Sequence, residues 1–232
     1  MKYNILTVSN QDYFPFLELF IKSLYQNADS ENLLNVYIFD TGLNEESKSF
    51  LSEFNKNIIV DTGQKTEHKK LHDPDWCLNT YSKMDYLYQV IEKTKIPSFM
   101  IDVDSVFQKS FESIINPFAD IVACYRPKNQ ISTHIGSFFG GIDYLKTMIF
   151  IQIWKQNLDT ITEFKHKESP ALSKVINTFQ GFKIQHLYER DISCVEENEE
   201  AFIYHLKSDG FAQTISERIN LNYSKKIIKC IK

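Results

Sequence analysis

Glycine is scarce in this chain, at seven of 232 residues, and only six prolines accompany it. That scarcity leaves no room for a Gly/Pro-rich linker. No low-complexity tract or internal repeat divides the sequence either, so one domain is expected over residues 1–232. The four cysteines, Cys77, Cys124, Cys194 and Cys230, stand far apart and form no Cys-x-x-Cys pair. Neither a zinc knuckle nor a disulfide scaffold is indicated, and reduced thiols in a cytoplasmic setting are expected. No apolar run approaches the ~18 residues of a membrane span, and Met1 to Val8 enters a strand pattern with too short an apolar stretch for a signal sequence. A basic excess is missing too: 26 Lys and Arg against 30 Asp and Glu give a net charge of −4, which argues against a nucleic-acid partner.

What is present is a core. Apolar residues make up 43% of the chain and aromatics 14%, enough for one substantial folded α/β domain. Its most informative stretch is Ser98 to Phe107, an apolar run interrupted by Asp102 and Asp104. A buried strand cannot hold two unpaired carboxylates, so both are expected where the strand leaves the sheet. In extended chain, residues two apart point the same way at roughly 7 Å, so both aspartates can face one cation while Val103 stays in the core. Paired carboxylates at a strand end suit a hard divalent ion that also holds phosphate oxygens, Mn²⁺ or Mg²⁺. A solvated strand-to-loop turn gives the same letters.

Earlier in the chain, Ile5 to Val8, Asn35 to Asp40 and Asn57 to Asp61 read as strands, each ending in polar residues. Between the first two lies a helix with Leu17, Phe20, Ile21 and Leu24 on one face. Between the second and third, Asn44 caps a helix that buries Phe50, Leu51 and Phe54. This alternation predicts a mostly parallel sheet flanked by helices, a Rossmann-like arrangement with a ligand crevice along the carboxyl edge. A nucleotide lying there would meet Thr7, Ser9 and Asp40, although each of these also suits a turn cap. Met84, Leu87, Tyr88 and Ile91 form a helical stripe over Thr80 to Lys93 leading into the aspartate strand. Later come a short helix at Phe111 to Ile115, a strand at Ile121 to Tyr125, the glycine-bearing Gly136 to Gly141, a helix opened by Ser169 and Pro170, and a strand from Ala201 that delivers His205.

From the first strand through Asp102-Val103-Asp104, the glycine segment, Glu168 and His205, the chain resembles the nucleotide-sugar-dependent glycosyltransferases of the GT-A fold. The resemblance implies a metal-dependent transfer of a sugar from a nucleoside-diphosphate sugar, UDP in the first instance, to a hydroxyl on a glycan, lipid-linked or protein acceptor. It implies metal contacts from Asp102, Asp104 and His205, and donor contacts from Lys83, Asp102, Gly140 and Lys207. Glu168 takes the acidic position beside the reacting sugar and is the catalytic residue the resemblance implies, with Ser169 where many relatives have glutamine or aspartate; an acid favoured by the helix amino terminus gives the same letters. The spacing from His205 to Gly210 is longer than in the family's late His-x-x-Gly element. A nucleotide-binding part is expected over residues 1–107, an acceptor and metal-completing part over 108–215, and a basic tail over 216–232.

Two other readings stay open. Met100 to Val106 also resembles the first motif of haloacid-dehalogenase-type phosphatases, with Asp102 as nucleophile, although that family places it near the amino terminus. A non-catalytic sugar-nucleotide or glycan-binding module fits the same letters. The tail carries five basic residues against Glu217, interleaved with Ile227, Ile228 and Ile231. It suits peripheral contact with an anionic membrane or a lipid-linked acceptor, and equally a solvated end.

Overall fold

A computed structural model describes residues 1–27, 31–65, 74–129, 131–164, 166–193 and 200–206. The apolar runs become strands β1 (Tyr3–Ser9), β2 (Leu33–Asp40), β3 (Ile58–Thr62) and β4 (Ser98–Ile101). Helices α1 (Phe14–Asn27), α2 (Glu45–Phe54) and α3 (Pro74–Thr94) connect them. Asn44 caps α2 as expected, its side chain accepting from the Ser47 amide. Beyond a short strand β5 (Ser105–Phe107) and a 3₁₀ turn at Phe111–Ile114 come β6 (Ile121–Tyr125), β7 (His134–Gly141), α4 (Tyr144–Leu158), α5 (Glu168–Thr178) and β8 (Ile184–Tyr188). Two further short strands, β9 (Ile192–Ser193) and β10 (Ile203–His205), end the described chain.

Seven of these strands form one sheet in the order β3-β2-β1-β4-β7-β6-β8. Every neighbouring pair is parallel except those made by β7, which runs antiparallel to both β4 and β6. The expected α/β class with a mostly parallel sheet is therefore correct. Strand alternation sends Ile5, Val36, Ile38, Phe99 and Phe138 to one face, where they pack under α1 with Phe16, Leu17 and Phe20. Leu6, Tyr37, Phe39, Met100 and Phe139 go to the other, under Leu87 of α3, Trp154 of α4 and Leu172 of α5. The result is a three-layer sandwich with the sheet buried on both sides.

Several details depart from expectation, among them Phe54 of α2, which is exposed where burial was expected. Ser98 to Phe107 is not one extended strand: the chain turns at residues 102–104, and β5 leaves to pair antiparallel with β10 in a separate small sheet. The turn is pinned where the Asp102 amide donates to the Ser137 carbonyl at 2.9 Å. Helix α3 begins at Pro74, a turn and a half before Thr80. Helix α5 begins at Glu168 with Lys167 in the cap position, rather than with Ser169 as cap. The Ser169 hydroxyl instead accepts from the Gly136 amide of β7 at 3.4 Å, so it ties helix to sheet, while Pro170 still falls in the first turn where no amide donor is needed.

Candidate active site

The small sheet explains how residues a hundred positions apart meet. Strand β10 pairs with β5 in the register His205 to Ser105, and the Leu206 amide donates to the Asp104 carbonyl at 2.7 Å. His205 is thereby laid against the turn that carries the two aspartates. His205 Nε2 lies 2.7 Å from Asp104 Oδ1 and 3.7 Å from Asp102 Oδ2, and one ligand atom from each of the three residues falls within 4.8 Å of the others. Two carboxylates and one imidazole converging on a point form a donor set for an oxygen-preferring divalent ion such as Mn²⁺ or Mg²⁺. The carboxylates are partly open to solvent, at 26% for Asp102 and 14% for Asp104, whereas His205 is buried. That grading leaves ligand positions on the open side for water or an anion.

A second charged group sits directly behind the first. Lys83 on α3 is 7% exposed, and its Nζ reaches Asp102 Oδ1 at 2.7 Å and Glu168 Oε1 at 3.2 Å. Burial alone would pull the Lys83 ammonium down, but the charges of Asp102 and Glu168 override it and hold the group above an ordinary lysine. Burial likewise pushes Glu168 up, and Lys83 first, then His166, more than reverse that, so its carboxyl lies below the usual carboxylate range. His166 Nε2 lies 3.3 Å from Glu168 Oε2. The Glu168 backbone is fixed as well, its carbonyl accepting from Trp154 Nε1 at 3.0 Å. Opposite, Gly136 leaves the space: a Cβ there would stand 2.4 Å from Glu168 Oε1.

The remaining sequence-singled residues divide. Ser9 and Asp40 stand at the carboxyl ends of β1 and β2, on the same edge as Asp102, and Thr7 is buried within β1. Asp40 uses its carboxylate on its own turn, accepting from the Gly42 and Leu43 amides at 2.7 and 2.6 Å and pairing with Lys48 at 3.0 Å. Gly140 is the next-to-last residue of β7, where a Cβ would meet the Phe99 ring at 2.5 Å, so its small size serves the packing of the sheet. Lys207 and the basic tail lie outside the described residues. His166 and Gly136 were not singled out from sequence. The signal for His166 was its place two residues before Glu168; Gly136 stood inside a run whose glycines look alike on paper.

No protein-family model and no curated protein matches the chain. Among solved structures, an active-site mutant of LgtC superposes with a TM-score of 0.66 over 95% of both chains, at 11% identity. The glycosyltransferase GlyE of Streptococcus pneumoniae TIGR4 gives a TM-score of 0.61 at 10% identity, covering all of this chain and 62% of that one. The fold is shared with a glycosyltransferase. At these identities the likeness is one of fold, and the chain spans less than two thirds of GlyE. Among the described residues, no helix is long and apolar enough to cross a membrane.

Proposed function

We propose that the chain is a metal-dependent glycosyltransferase that moves a sugar from a nucleoside-diphosphate sugar to a hydroxyl acceptor. The observation that carries this reading is the convergence of Asp102, Asp104 and His205 at the carboxyl edge, on a fold shared with a known glycosyltransferase. A Mn²⁺ or Mg²⁺ ion held by these three residues would neutralise a diphosphate and stabilise the charge it develops as leaving group. The protein's own part is preorganisation. Asp102 is held from behind by Lys83, with one oxygen on the ammonium and the other facing the cluster. Glu168 holds Lys83 in turn, and both of its oxygens are engaged, by Lys83 and by His166. On this reading Glu168 is a positioning residue that acts through Lys83, and the buried ammonium supplies fixed positive charge beside the diphosphate.

The test is turnover of a panel of nucleotide-sugars, UDP-sugars first, with and without Mn²⁺. Thermal shift in parallel detects binding, because a ligand selective for the native state raises its stability. Metal-dependent turnover is expected for the wild-type chain, with Asp104→Asn folded but silent and no longer stabilised by UDP and Mn²⁺ together. Asp104→Asn with normal turnover would remove the metal assignment. Phosphate release from phosphomonoesters in place of sugar transfer would favour the dehalogenase-type reading through Asp102. Binding of a sugar nucleotide with no turnover would favour a silent module.

A further inference from the structure

Along β7, His134 and Gly136 stand two residues apart, roughly 7 Å in extended chain, so the His134 side chain lies on the face of the strand that Gly136 leaves open to Glu168. One step beyond Glu168 on the carboxyl edge therefore stands His134, and with it an aromatic cluster with no part in the charged network. The Tyr125 ring at the end of β6 is its centre. His134 lies 5.0 Å from it, His186 4.9 Å and Tyr188 5.5 Å, ring centre to ring centre. His134 is buried, whereas His186 and Tyr188 are exposed on β8, the last strand of the sheet. Arg190 lies over one face of Tyr188, 5.6 Å from its ring centre.

The two histidines are hydrogen-bonded, His134 Nε2 to His186 Nδ1 at 3.0 Å. Their ring centres are 5.1 Å apart, close to the greatest separation that this contact allows, so the two nitrogens point at each other and do not converge on a shared ion. The inner side of His186 is thus fixed by its buried neighbour, and its Nε2 side is turned outward. Burial pulls both imidazoles down, His134 to about 4, so the pair is neutral at pH 7 and offers hydrogen bonds without charge. A sugar ring has complementary chemistry: an apolar C–H face that stacks on an aromatic ring and a rim of neutral hydroxyls that seeks fixed donors and acceptors. We propose that Tyr125, His134, His186 and Tyr188 form a carbohydrate subsite that takes the acceptor as a sugar ring, an inference that rests on the glycosyltransferase reading for its place in the reaction.

Saturation-transfer NMR on the full chain, with methyl β-D-glucopyranoside and methyl β-D-galactopyranoside as probes, tests it without any donor. Saturation is expected on the ring protons of at least one glycoside and should persist when UDP is added. Tyr188→Ala and His186→Ala, both at exposed positions on an edge strand, should each weaken binding about 5- to 10-fold with circular dichroism unchanged. No saturation of either probe, its loss on adding UDP alone, or equal binding by both variants would overturn the subsite. Glycoside binding in a chain that turns over no nucleotide-sugar supports the subsite and counts against the donor chemistry. Donor hydrolysis without glycoside binding does the reverse.

Discussion

At position 168 a carboxylate that is 3% exposed meets a lysine that is 7% exposed, and Asp102 completes the line. Removing one member of a buried ionic group costs more than the group contributes, because the charge left behind keeps its desolvation penalty. Glu168→Gln should therefore lower stability by roughly 2–3 kcal/mol, less than a full orphaning because Asp102 stays beside Lys83. For function the expected pattern is weaker donor binding in both Glu168→Gln and Lys83→Met, with the double variant losing less than the sum of the two. A turnover loss of about 10²–10⁴ in Glu168→Gln, with UDP affinity untouched, would instead make Glu168 a general base. Gly136→Ala probes the same contact from the sheet side. Its methyl needs the space that Glu168 Oε1 occupies, so a stability loss of about 1–3 kcal/mol and weaker UDP binding are expected together.

Elements, more than residues, decide what could be read in advance. Ile5, Val36 and Phe99 lie in apolar runs with polar carboxyl ends, and such runs announce parallel strands wherever helices separate them. Strand β7 gave no such cue, because Gly136-Ser137-Phe138-Phe139-Gly140-Gly141 says nothing about direction; only its pairing with β4 and β6 makes it antiparallel. The aspartates were legible as a strand-end pair, but their convergence comes from the turn at 102–104, not from extended chain. His134 and His186 are 52 residues apart, and no local pattern joins them. His205 was legible as the end of a late strand, yet its partner was not, since the antiparallel pairing of β10 with β5 is set by tertiary packing. That pairing makes a prediction at the scale of the element. His205→Ala leaves the backbone bonds of the small sheet in place, so the fold should hold while the Mn²⁺ concentration for half-maximal UDP binding rises at least about 10-fold. An unchanged Mn²⁺ titration would make His205 a structural partner of Asp104 alone.

At the scale of the whole molecule, two sets of titratable groups among the described residues, histidines and carboxylates, make stability fall in two steps as the solution turns acid. Burial keeps His134 neutral until about pH 4, whereas the same residue in the unfolded chain takes up a proton near its ordinary value of 6.5. Between those values the unfolded state binds more protons, so stability drops as pH falls from 6.5 towards 4, by an amount on the order of 2 kcal/mol. His186 adds to this step in the same direction. Glu168 and Asp120 behave oppositely in protonation but alike in consequence. Lys83 holds the one and Lys146 the other below the usual carboxylate range despite the upward push of burial. Their stabilisation is complete above that range and is lost only as pH falls through their lower folded values. Urea midpoints of the metal-free chain at pH 7.5, 6, 5 and 3.5 should accordingly show a first decline above pH 4 and a second below it. In His134→Gln the first decline should shrink to the part His186 contributes, and the second should remain. A His134→Gln variant that keeps the full slope between pH 6.5 and 4 would show that the buried imidazole does not carry this step.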